Sequence, residues 1–129
     1  MNPSHFLIVC VSALTSLGGP TLAKEVGGQY VRLAELEIDS GQLDSFKAAL
    51  KEEIQTSVRA EPGVLALYAV CDKDNPAHIM VFEVYRNADA YKSHLETPHF
   101  RKFKSTTTQM VRSLKHLEAV PIFLGAKAK

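Results

Sequence analysis

"VLALYAVCDKDNPAHIMVFEVYRNADAYKSHLETPHF", residues 64–100, decides how this chain folds. Two runs rich in Val, Leu, Ile, Tyr and Phe, 64–71 and 78–86, flank the polar turn "DKDNPA", which predicts an antiparallel hairpin. Asn87 then caps a short helix, "ADAYKSHLE". Thr97-Pro98 breaks it and restarts a second helix, with Pro98 at the first helical position, where its missing N–H is not needed. His94 and His99 stand five apart across this break, an interval that does not stack two side chains on one continuous helix. The proline is therefore expected to make a corner rather than a ligand pair, with His94 closing one helix and His99 opening the next.

Upstream, "QYVRLAELEI" (29–38) alternates as a strand, with Tyr30, Arg32, Ala34, Leu36 and Ile38 on one face and Val31, Leu33, Glu35 and Glu37 on the other. In the next segment Leu43, Phe46, Leu50, Ile54 and Val58 recur at three- and four-residue intervals, an amphipathic helix capped by Asp39 or Ser40 and ended by "EPG" (61–63). Downstream, the post-proline helix is expected to run through "FRKFKSTTTQMVRSL" and a last strand to occupy 115–125. Pro121 would put that strand at an edge, an end or a bulge. The order β-α-β-β-α-β predicts an α+β, ferredoxin-like fold: one four-stranded antiparallel sheet with its helices on one face. Strand 64–71 is apolar on both sides, so the uncovered face of the sheet requires a partner. A C2 homodimer with the two sheets face to face satisfies it.

The 129 residues make one domain, and a formal charge of +1 with bases spread among acids excludes a nucleic-acid surface. "FLIVCVSALTSLG" (6–18) is too short to span a bilayer, which takes about 20 apolar residues. Followed by Gly-Gly-Pro and then "TLA", it reads as a signal peptide covering 1–23, cut after Ala23, although "MNPSH" lacks the usual basic residue. The other reading is a first strand or arm of the domain. Cleavage would leave a 24–129 domain with its core at about 29–125, periplasmic or secreted, with no membrane anchor and Cys71 as a lone thiol, expected to be buried in its strand.

"EPG" after the first helix, "FEVYRNADAYKSHLETPHF" after the third strand and the order of elements resemble the antibiotic biosynthesis monooxygenase family over residues 29–125. The resemblance implies a dimeric α+β barrel with a pocket in each protomer between sheet and helices. It also implies chemistry without a cofactor, such as the oxidation of anthrones or quinols by O2. Its motif falls on Glu83, Tyr85, Ala90, His94, Pro98, His99 and Phe100. Haem-degrading relatives carry a Trp where His94 stands and a His near Lys104; this chain has no Trp, so that version is set aside.

On this basis the candidate catalytic residues are His94, Glu83 and His99, and the candidate substrate-binding residues are Arg32, Tyr68, Tyr85 and Phe100. His94 is placed toward the pocket by Ala90 one turn earlier; it is either a base that takes a phenolic or enolic proton or a buried histidine hydrogen-bonded to backbone. His99 is expected to bond backbone at the corner or a partner chain. Glu83, in an apolar strand, must be paired or functional, with Arg32 or His94 as partner, and alternation does not say which face it takes. Tyr68 and Tyr85 are either ligand hydrogen-bonders or core. His94, His99, Glu83 and His78 hold ligand types for a metal, but no local spacing supports one, and none is expected. The function expected is a cofactor-independent monooxygenase acting with O2 on a quinol-like or polyphenolic molecule. The alternatives are a non-catalytic small-ligand-binding dimer and an isomerase of a small signalling metabolite.

Overall fold

A computed structural model describes residues 28–129; the signal-peptide reading lies outside the described residues. The elements are β1 (Tyr30–Ile38), α1 (Leu43–Ala60), β2 (Val64–Cys71), β3 (His78–Tyr85), α2 (Ala88–Leu95), α3 (Pro98–Thr107) and β4 (Val111–Ala119). They form one antiparallel sheet in the order β2-β3-β1-β4, the expected ferredoxin-like α+β topology.

The local signals act as read around residues 39–98. The Asp39 side chain accepts from the amide of Gly41 and starts a single 3-10 turn that leads into α1. Asn87 accepts from the Ala90 amide at 2.8 Å, and Thr97 from the Phe100 amide, with Pro98 opening α3.

The C-terminal third departs from expectation. α3 stops at Thr107, and β4 runs over 111–119 rather than 115–125, so Pro121 lies beyond the strand. Thr107 and Thr108 turn their hydroxyls back onto the Phe103 and Lys104 carbonyls, which weakens helix propagation there. Met110, Val111 and Leu114 imitate a helical stripe, yet the register of β1 pairs Leu36 with Leu114 and Ala34 with His116.

The even-numbered face of β1 meets the helices. Ala34, Leu36 and Ile38 join Ile79 and Val81 of β3 and Phe46 and Leu50 of α1 in the main core. Phe46 is fully buried and meets Phe103 of α3 at 5.9 Å between ring centroids. In α1, Ser57 is buried where Val58 was expected; Val58 is about half exposed.

Among the described residues, nothing covers the other sheet face. Leu33 sits between Phe82 and Leu117 in register, and Phe82 sits opposite Tyr68, which makes one apolar row across all four strands. Leu117 is 62% exposed and Tyr68 59%. Cys71 is exposed, not buried as its apolar run implied, because β2 is an edge strand.

Candidate functional site

Between the sheet and the helices lies a cavity of about 640 Å³, within the range that holds a small organic molecule. Its walls are mostly apolar, with Leu36, Phe46, Leu50, Leu67, Phe100 and Phe103 among them. Polar groups enter from two sides: Arg32, Glu83 and His116 from the sheet, and Glu53 and His94 from the helices.

The helix-side group is assembled by a close approach. Gly63 follows Glu61-Pro62 in the turn after α1, and a Cβ placed on it would lie 2.6 Å from the Ala90 Cβ. The turn is pinned to the start of the next segment by Arg86, whose amide donates to the Gly63 carbonyl (2.8 Å) and whose guanidinium donates to the Pro62 carbonyl (3.0 Å). With α2 held this near, His94, one turn after Ala90, reaches Glu61. Its Nδ1 is 2.9 Å from Glu61 Oε2, and its Nε2 is 3.3 Å from Glu53 Oε1. His94 is 2% exposed. The Thr97-Pro98 corner then folds His99 back so that its Nε2 lies 2.6 Å from the same Glu61 oxygen.

These contacts correct three expectations. His94 bonds carboxylates rather than backbone, with a partner at each ring nitrogen. His99 bonds Glu61 rather than backbone. The corner does not separate the two histidines but brings both onto one carboxylate. Because Glu61 Oε2 accepts only, the network assigns a proton to His94 Nδ1 and to His99 Nε2. The Ser57 hydroxyl donates to Glu53 Oε1 at 2.7 Å.

The two acids are driven apart. Burial pushes the Glu53 carboxyl above the usual carboxylate range, against the opposing pull of Ser57 and His94. Burial also pushes Glu61 up, but the hydrogen bonds from His99 and His94 outweigh it and leave Glu61 below the usual range. With its proton at Nδ1, His94 leaves Nε2 as the acceptor nitrogen of the ring, 3.3 Å from Glu53 Oε1.

On the sheet side, Glu83 takes the helix-facing side with Arg32, its register partner. It pairs with neither Arg32 nor His94: its carboxylate accepts the Tyr85 hydroxyl at 2.7 Å. Burial, then the Glu83 charge, raises the Tyr85 pKa and keeps the phenol protonated. Tyr85 is fully buried and does not line the cavity; Tyr68 stands on the opposite sheet face. Phe100 lines the cavity with its ring centroid 4.9 Å from that of His94.

Glu61, His94 and His99 place ligand atoms within 4.8 Å of one another, a two-His-one-carboxylate set of the kind that binds transition metals. Its atoms stand at hydrogen-bonding distances, and neither Glu61 nor His99 lines the cavity. The wider set with Glu83 and His78 is not assembled, since His78 bonds Glu35 at 2.7 Å.

The sequence reading missed Glu53, Glu61, Tyr91 and His116. Glu53 and Ser57 had a visible signal: both fall on the Phe46–Leu50 stripe of α1, where polar residues interrupt an apolar face. Glu61 was read only as part of a helix stop.

Comparison with known proteins gives a consistent picture. The sequence profile described as antibiotic biosynthesis monooxygenase matches residues 29–106. A solved structure from Bacteroides thetaiotaomicron, provisionally named an antibiotic biosynthesis monooxygenase, is 46% identical, with a TM-score of 0.76 over 81% of this chain and 99% of that one. A provisionally named monooxygenase from Lactobacillus acidophilus is 32% identical, with a TM-score of 0.70 over 71% of this chain and 44% of that one. An uncharacterized Synechocystis protein is 30% identical over 90 residues, 67% of this chain, which spans 60% of that protein's length.

Proposed function

This chain belongs to the antibiotic biosynthesis monooxygenase family, and from that premise we propose that it is a cofactor-independent monooxygenase of quinol-like or polyphenolic aromatics. One observation carries the reading: a buried imidazole, His94, braced by Glu61 and touching Glu53, forms part of the wall of an aromatic-lined cavity of about 640 Å³. A flat aromatic fits walls of this kind, and an acid–base group at a largely apolar wall is the machinery for deprotonating it.

The substrate hydroxyl gives its proton to the Glu53–His94 pair. Glu61, held as a carboxylate, balances the positive charge that the pair gains, as the acidic partner of a catalytic histidine does. The electron-rich ring carbon of the resulting anion bonds to O2 and forms a hydroperoxide. Loss of water from it leaves one oxygen on the carbon, so that quinol and O2 give hydroxyquinone and H2O. The exposed apolar sheet face supports a homodimer in which two sheets pack together.

Oxygen uptake by chelator-treated protein over a panel of hydroquinones and anthrones tests this, with His94→Ala alongside. Uptake above the spontaneous autoxidation rate for at least one compound, lost in His94→Ala, is the expected result. A panel that never exceeds autoxidation overturns the oxygenase reading. Uptake that survives His94→Ala overturns the assignment of the base.

A further inference from the structure

Among the described residues, Arg32 is a cation without a paired carboxylate. It lies in the middle of β1, is 7% exposed, and lines the cavity. Its two register neighbours are carboxylates, Glu83 on β3 and Glu118 on β4, yet neither forms an ion pair with it among the described residues. Each has been engaged by a phenol instead: Tyr85 donates to Glu83, and Tyr30 to Glu118. The guanidinium rests on the Tyr91 ring, 4.3 Å from its centroid, and Tyr91 is itself stacked on Tyr30 at 5.0 Å. Its Nε is buried and has no hydrogen-bond partner among the described residues.

A buried donor left unmade is costly, and a guanidinium over an aromatic face is held flat, with its donor edge fixed in direction. Other cations surround the same cavity. Lys104 and Arg112 line it, and His116 is kept from charging by burial and then by the Arg32 charge. Glu53 is buried toward its neutral form, which leaves Glu83 as the lining carboxylate opposed to Arg32 and Lys104, while Arg112 is held by Asp39 at 3.4 Å.

We infer that Arg32 is the anchor of an oxyanion subsite, and that the ligands of this cavity are flat aromatics carrying an ionisable enol or phenol oxygen that docks on its guanidinium. The inference rests on reading the cavity as the substrate site. It narrows the substrate class: the apolar body lies against Phe46, Phe100 and Phe103, while the acidic oxygen points to the sheet. Arg32 selects the ionised form of that oxygen over the neutral one. A plain hydrocarbon or a quinone lacking that oxygen leaves the guanidinium unpaired and is rejected.

The test uses ligands that are already oxidised and are not turned over. The full chain is titrated calorimetrically at neutral pH with 2-hydroxy-1,4-naphthoquinone, an anion, and with 1,4-naphthoquinone, its neutral counterpart. A hydrogen bond to a charged group predicts that wild type prefers the anion by about ten- to hundredfold. Arg32→Gln is expected to lose that preference, Arg32→Lys to keep only part of it because the forked donor edge is gone, and Lys73→Gln, in the β2–β3 turn outside the cavity, to keep it. Equal affinities in wild type, no saturable binding of the anion, or an unchanged preference in Arg32→Gln overturns the inference; the first two need no variant to fold. Anion preference without oxygen uptake on the quinol panel supports the anchor and overturns the oxygenase reading alone.

Discussion

Glu61→Gln isolates the group on which the buried histidines depend. One carboxylate oxygen accepts from His94 at 2.9 Å and from His99 at 2.6 Å, at a residue whose side chain is 13% exposed. A hydrogen bond to a charged group contributes about 1.5–3 kcal/mol and a neutral one about 0.5–1.5 kcal/mol. Turning two of the former into the latter therefore removes about 2–3 kcal/mol. For a domain of this size that lowers Tm by about 10–20 °C. Thermal melting followed by circular dichroism measures it at neutral pH. Oxygen uptake well below the variant's Tm separates chemistry from folding. There the loss should be about a hundredfold, the low end of what general base assistance supplies, because His94 no longer has an anion to balance its positive form. A Tm within about 3 °C of wild type would refute the claim that Glu61 holds the two histidines.

The same residue sets an acid response. Folding lowers the Glu61 pKa, so its contribution is complete above the ordinary carboxylate value of about 4.3 and is lost as the pH falls through the lowered folded value. The Tm gap between wild type and Glu61→Gln should therefore close on acidification; a gap constant down to strongly acidic pH would contradict it. Gly63→Ala places a Cβ 2.6 Å from the Ala90 Cβ and should cost about 1–3 kcal/mol by urea unfolding, as α2 is pushed off the turn. An unchanged denaturation midpoint would show that the close approach is not required. Leu33→Glu with Leu117→Glu puts two charges in the exposed apolar row and should give a monomer in light scattering where wild type is expected to be a dimer. A monomeric wild type at micromolar concentration removes the face-to-face dimer.

What the sequence revealed of the fold followed from strong local chemistry. The hairpin at 64–86 and the Asn87 and Thr97-Pro98 caps were legible because each depends on neighbours within a few residues. The start of β4 was not: Met110, Val111 and Leu114 fit a helical period, and pairing with β1, some 75 residues away in sequence, overrides it. The site divided in the same way. His94 and His99 stood out as residue types, but alternation along β3 could not orient Glu83, which needed the register that sets it beside Arg32. Glu61 became visible only when the Gly63–Ala90 approach brought the end of α1 against α2. Tyr68 and Tyr85 show the opposite failure. Both are strand tyrosines, and only the sheet's two faces reveal that one points away from the helices and the other is sealed beneath them.

The central claim is that the Glu53–His94–Glu61 group drives insertion of one oxygen atom from O2 into a bound aromatic. Its most direct measurement is turnover of the best hydroquinone or anthrone from the uptake panel under 18O2, with mass spectrometry of the product. The product is expected to carry one labelled oxygen, with label also in water, and none above background in His94→Ala. A product that gains no label under 18O2, or gains it equally without protein, would contradict it.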